Sequence, residues 1–207
     1  ASLSSGRFLS RGPTEDGQEA PLEAPCSGTE EDVAIVGDGG IGKTTFLQHL
    51  LEKEFLLPDG AARPLMGDRP VPIFIELNRC PEHIGDWYDR ALSKTNFITR
   101  YIGQMWENHA TLDSVAPETL LSVEKELQRI PAEGRAQYLL LLDGFNEVRA
   151  DTAIRACLSN EISVLHSYPN VRIITTSRET QAAYYAAALR SIRVVGLKRA
   201  DIAAYLE

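Results

Sequence analysis

Five short apolar runs, each ending near glycine, acidic or hydroxyl residues, punctuate the chain, and stretches of helical period fill the gaps between them. Val33-Ala34-Ile35-Val36 runs directly into Gly37, the pattern of a strand buried on both faces. A helix is predicted over Lys43–Phe55, with Phe46, Leu47, Leu50 and Leu51 on one face. Val71-Pro72-Ile73-Phe74-Ile75-Glu76-Leu77 reads as a second strand, its proline near the start where it is tolerated. Helices follow over residues 84–93 and 97–108; in the latter Ile98, Tyr101, Ile102, Met105 and Trp106 recur at helical spacing. A third runs over 117–128, where Leu120, Val123, Leu127 and Ile130 step by three and four. These stripes are expected to pack into a core. Tyr138-Leu139-Leu140-Leu141-Leu142 is the most apolar run, bounded by Gly134 and Asp143-Gly144, and predicts a central strand. A helix over 154–166, a strand over 171–176, an Ala-rich helix over 179–189, a strand over 191–195 and a helix from 198 complete the alternation. Strands alternating with helices predict an α/β fold, a parallel sheet with helices on both faces.

Residues 1–31 break this pattern. Pro13, Pro21 and Pro25, several glycines and a scatter of acids predict an extended or poorly ordered lead-in, with one domain over 32–207. At 207 residues the chain accommodates one α/β domain with a real core, but hardly a second. The net charge of −8 argues against an extended nucleic-acid surface. No apolar run approaches the roughly 18 residues of a membrane helix, and no signal-type stretch opens the chain, so a cytoplasmic location is expected. Cys26, Cys80 and Cys157 lack metal-ligand spacing and are expected to be buried or free thiols. His49, His83, His109 and His166 also form no metal spacing.

Gly37-Asp38-Gly39-Gly40-Ile41-Gly42-Lys43-Thr44 matches G-x-x-x-x-G-K-[ST] in full. The glycines at 37, 39, 40 and 42 let the backbone take positive φ and wrap around an anion, with successive N–H groups pointing inward. The helix starting near Lys43 adds its positive dipole end. Lys43 is expected to reach the β- and γ-phosphates of a nucleoside triphosphate, Thr44 to ligate Mg²⁺, and Thr45 to lie near the α-phosphate. A glycine-rich turn matching by chance is the alternative; the strand before it and the amphipathic helix after it favour the phosphate loop. Asp143, at the end of the leucine strand, is the expected second Mg²⁺ group, although Asp-Gly is also an ordinary turn pair. Glu147 could accept a proton from, or orient, an attacking water, or be a solvated loop acid. Thr175-Thr176-Ser177-Arg178 closes another strand. Ligands bind at the C-terminal ends of such strands, and Arg178 there could reach a γ-phosphate. Arg79, just after the second strand, is expected to be solvent-exposed. The guanine marker Asn-Lys-x-Asp does not occur, which favours adenine.

These motifs together resemble the NACHT domain, a branch of the signal-transducing P-loop ATPases found in NOD-like receptors and related bacterial defence proteins. The resemblance covers about residues 32–207. Its most specific element is the extended acidic motif, Asp143-Gly144-Phe145-Asn146-Glu147. The family usually has an acid where this chain has Asn146; an amide cannot act as a base, which puts turnover in question more than binding. The resemblance implies a five-stranded parallel sheet of order 2-3-4-1-5 and a switch that is closed and monomeric with ADP but open and oligomerising with ATP. It also implies partners in cis: helical and winged-helix domains, a sensor and an effector, none of which fits within this chain. The chain is therefore expected to be a nucleotide-binding core of a larger protein. The leading expectation is an ATP/ADP switch module with weak Mg²⁺-dependent hydrolysis, which the resemblance implies forms a homo-oligomer when activated. Against it stand a non-hydrolysing nucleotide scaffold and another P-loop enzyme. A small-molecule kinase would need an Arg-rich lid, which is not evident, and a nucleic-acid motor would prefer a basic channel.

Overall fold

A computed structural model describes residues 9–11, 19–21, 31–55, 70–81, 96–108, 111–132, 134–148, 152–178 and 189–194. The five apolar runs all form strands. They are β3 (Val33–Val36), β4 (Val71–Glu76), β5 (Tyr138–Asp143), β6 (Val171–Ser177) and β7 (Arg190–Val194). All five are parallel, in the spatial order β7-β3-β6-β5-β4. Numbered along the chain among themselves, they give the order 2-3-4-1-5 that the resemblance implied.

Alternation along each strand divides the core into two layers. Val33, Ile35, Leu139, Leu141, Ile174, Ile192 and Val194 face the first helix, α1 (Lys43–Phe55), and meet Phe46, Leu47 and Leu50. The opposite face carries Ala34, Ile73, Ile75, Leu140, Leu142 and Ile173. It is covered by α2 (Phe97–Glu107), α3 (Pro117–Gln128) and α4 (Thr152–His166), through Ile98, Ile102, Val123, Leu127, Leu158 and Ile162. Burial on both faces is why the central strands read as unbroken apolar runs rather than alternating ones.

Two polar side chains fasten this frame. Glu161 of α4 is fully buried. Its carboxylate accepts the backbone N–H groups of Asn96 (2.6 Å), Phe97 (2.9 Å), Ile98 (3.0 Å) and Thr99 (3.3 Å). Those are the donors that the first turn of α2 cannot satisfy internally. Asp32, just before β3, accepts the Ile173 N–H at 2.7 Å and an N–H from His166 Nδ1 at 2.5 Å. Burial raises its carboxyl above the ordinary value even against the His166 contact. Burial also pushes the Cys80 thiol up to about 12, so it stays protonated and inert at neutral pH.

The structure adds to the sequence reading in the lead-in and differs from it at two further places. The lead-in contributes two strands, β1 (Leu9–Arg11) and β2 (Glu19–Pro21). They pair with each other, and β1 pairs antiparallel with β7, so the sheet gains an antiparallel edge. Three-residue strands carry too little periodicity to announce themselves. Ile130 is 81% exposed rather than buried, because α3 ends at Gln128 and Arg129 is already extended, so the helical phase is lost. Met105 and Trp106 lie on the last turn of α2 and are exposed, although the Trp106 ring still meets Tyr138 at 6.0 Å. The helices expected at 84–93 and 198–207, and all but the last residue of the one at 179–189, lie outside the described residues, as do Cys26, His83 and His109.

Candidate functional site

The C-terminal ends of β3, β5 and β6 converge, and the candidate residues lie at those strand ends, on the loops that leave them and on the first turn of α1. β3 ends at Val36 and the chain enters the glycine-rich loop. The Gly37 N–H donates to the Ser177 carbonyl on β6 at 3.3 Å. Its Cα stands so close to β7 that a Cβ would lie 3.0 Å from the Val194 carbonyl oxygen. Of the four loop glycines, Gly40 (φ 76°) and Gly42 (φ 94°) take positive φ, whereas Gly37 and Gly39 do not. The expectation of positive φ at all four glycines is thus corrected: Gly37 is needed for close approach to the β7 backbone, and Gly39 borders only the Arg178 guanidinium. Ile41 anchors the loop in the α1-side core. The Gly42 carbonyl accepts the Phe46 N–H at 2.8 Å, which starts α1. Thr44 and Thr45 are exposed on its first turn.

Lys43 Nζ donates to the carbonyls of Gly37 (2.9 Å) and Asp38 (2.8 Å). Burial, then the Arg178 guanidinium, hold its ammonium below the ordinary lysine value; Asp143, Asp38 and Glu147 act in the opposite sense. That set of charges around one ammonium is the electrostatic signature of convergence. The structure brings Lys43, Asp143, Glu147 and Arg178 together, though they come from three different strands.

Asp143 closes β5 and is 8% exposed. Its Oδ1 accepts the Thr176 hydroxyl at 2.5 Å, and the same hydroxyl accepts the Gly144 N–H at 2.9 Å. Gly144 turns the chain with φ 77°, and Phe145–Glu147 forms a single 3₁₀ turn. The Glu147 carboxylate folds back over Gly144, where a Cβ would meet Oε2 at 3.3 Å. Asn146 Oδ1 accepts the Arg178 N–H at 3.1 Å. The Arg178 guanidinium lies against the glycine-rich loop, with a Cβ on Gly39 falling 3.2 Å from it. Arg79 is exposed and ion-paired with Glu76, as its position after β4 led us to expect. Among the described residues no group of three metal-ligating side chains forms a self-sufficient metal centre.

Three polar ties beyond the sheet's end therefore hold β6 between the two loops. Residue 177 binds the glycine-rich loop through its carbonyl, residue 176 binds Asp143, and residue 178 binds Asn146. Sequence reasoning named Thr176 within its motif but gave it no role, and read Asn146 only as a lost acid. The cross-strand register, Leu142 opposite Thr175, is what makes Thr176 and Asp143 neighbours, and no local pattern carries it.

The sequence matches the NACHT domain over residues 31–207. The chain belongs to the NACHT family. The family match supports a nucleotide-binding module of the P-loop ATPase type. A search of curated protein sequences finds no match. Similar solved structures include Cdc6p from Pyrobaculum aerophilum, at 14% identity, covering 84% of this chain and 41% of that one, with a TM-score of 0.45. A Walker-type ATPase of Pyrococcus abyssi shares 12% identity, covering 89% and 54%, with a TM-score of 0.47. PCH-2 of C. elegans shares 13%, covering 86% and 38%, with a TM-score of 0.40. The chain thus spans about two fifths to about half of the length of these structures. Among the described residues no helix is long and apolar enough to cross a membrane.

Proposed function

We propose that this NACHT domain is the ATP/ADP switch of a NOD-like-receptor-type signalling or immune-defence ATPase, acting in the cytoplasm, with slow hydrolysis controlling self-association. The observation that carries the reading is the convergence of Lys43, Asp143, Glu147 and Arg178 on the loop of residues 37–45.

The residues fit a magnesium nucleotide. Gly40 and Gly42 have the backbone conformation that turns N–H groups toward an anion, and a side chain at Gly39 would fill the space that the Arg178 guanidinium borders. Backbone N–H groups of residues 37–45 and the Lys43 ammonium would hold the phosphates. Thr44 and Asp143 would hold Mg²⁺, which supplies charge neutralisation on the phosphate oxygens. Lys43 would exchange its two carbonyl contacts for phosphate oxygens. Arg178 would report the γ-phosphate, since its guanidinium already borders the loop. Glu147 would orient the attacking water and accept its proton. Helical and winged-helix domains of a longer protein would complete the switch.

The test is steady-state phosphate release by wild type and Lys43→Ala, with sizing in ATP and in ADP. Release above the Lys43→Ala level and ATP-dependent assembly in the full-length protein are expected. A second reading, a nucleotide scaffold without turnover, is favoured by the neutral amide of Asn146 and its commitment to the Arg178 backbone. Nucleotide binding with release no higher than Lys43→Ala would select it.

A further inference from the structure

We propose that Thr176 is the positioning residue of the metal-binding carboxylate: its hydroxyl holds Oδ1 of Asp143 and so presents Oδ2 to the divalent cation of the nucleotide. The inference rests on the nucleotide-binding reading above. Asp143 and Thr176 end neighbouring parallel strands, one step beyond the Leu142–Thr175 pair. Both lie on the α1 side of the sheet, in phase with Leu139, Leu141 and Ile174. Both are buried, at 8% and 1% exposure.

A threonine hydroxyl has one proton and two lone pairs. The Gly144 N–H occupies a lone pair at 2.9 Å, which orients the hydroxyl. The proton then goes to Asp143 Oδ1 at 2.5 Å, a charge-assisted bond of the short, strong kind. An aspartate's terminal torsion is otherwise broad and roughly two-fold, so this bond selects one carboxylate setting. The hydroxyls on either side behave differently. Thr175 Oγ1 and Ser177 Oγ, on the opposite face of β6, are buried and have no hydrogen-bond partner among the described residues. The bond at 176 is therefore specific to the acidic strand end rather than general to the hydroxyl-rich tip of β6.

The test is a Mg²⁺ titration of ATP binding to the full chain, read with a fluorescent ATP analogue. Thr176→Val is expected to raise the half-saturating Mg²⁺ about 10- to 100-fold, the usual effect of removing a partner behind a metal ligand. Nucleotide affinity in EDTA should stay at the wild-type level, and Thr176→Ser should restore the Mg²⁺ dependence. Adding Thr176→Val to Asp143→Asn should cause no further loss. If Thr176→Val does not fold, Thr176→Ala carries the same comparison. Weakening by the same factor in EDTA and in Mg²⁺, or an unchanged Mg²⁺ dependence, would overturn the proposal while leaving the nucleotide reading intact. Failure of the wild type to bind nucleotide would overturn both.

Discussion

Glu161 offers the sharpest stability experiment, because its carboxylate is fully buried and spends both oxygens on the start of α2. Oε1 accepts three N–H groups, from Asn96, Ile98 and Thr99, and Oε2 accepts that of Phe97. Glu161→Gln keeps the shape. The cheaper amide orientation preserves the oxygen that serves three donors and turns the NH₂ toward Phe97. One hydrogen bond to a charged acceptor is lost, worth about 1.5–3 kcal/mol. The negative charge at a helix N-terminus is also lost, worth about 0.3–2 kcal/mol. Easier desolvation of the neutral amide offsets part of this, leaving a net cost of about 2–3 kcal/mol. In a chain of this size each kcal/mol moves the melting temperature by about 2–4 °C. Glu161→Gln should therefore lower Tm by about 4–12 °C in calorimetry, with a matching fall in the urea midpoint at unchanged slope. A shift under about 2 °C would refute the reasoning, since it would mean that the four N–H groups find equivalent partners without the charge.

Three further outcomes follow from the site. Gly39→Ala pushes against the end of the flexible Arg178 side chain rather than against backbone. It should leave Tm within about 2 °C, a change of under roughly 1 kcal/mol, yet reduce the preference for ATP over ADP in equilibrium binding. Asn146→Leu removes the acceptor of the Arg178 N–H and should reduce the same preference, whereas Asn146→Asp keeps an acceptor and should preserve it; equal behaviour of the two variants would count against the tie. The third concerns pH. The Lys43 ammonium titrates below the ordinary lysine value because of burial and Arg178, and phosphate binding favours its protonated form. Affinity should thus fall about tenfold per pH unit once that lowered value is passed, a fall that sets in at lower pH than an ordinary lysine, near about 10.4, would give. A flat affinity across the whole range in which lysines titrate would show that the Lys43 charge is not used.

The frame was legible because its information is local. Val33–Val36 and Tyr138–Asp143 announce buried strands by composition, and the glycine-rich loop announces itself by spacing. What stayed hidden depends on register or on distant partners. The bond of Thr176 to Asp143 spans 33 residues, and the capping of α2 by Glu161 spans more than 60. Nothing in the neighbourhood of Glu161 distinguishes it from an exposed helical glutamate. Asn146 shows the opposite difficulty. Its chemistry was visible, but only the fold reveals that its side chain holds Arg178 in addition to lacking a basic carboxylate. The misplaced Ile130 shows how a periodic stripe overruns when a helix ends before the pattern does.

The central claim is that residues 37–45 bind a nucleotide through Lys43. Isothermal titration of the wild type and of Lys43→Ala with ATP and with ADP tests it most directly. Saturable one-to-one binding by the wild type, lost or weakened at least about 100-fold (roughly 2.7 kcal/mol) in a Lys43→Ala variant that melts normally, is the expected result. Tight ATP binding by Lys43→Ala, or none by the folded wild type, would contradict it.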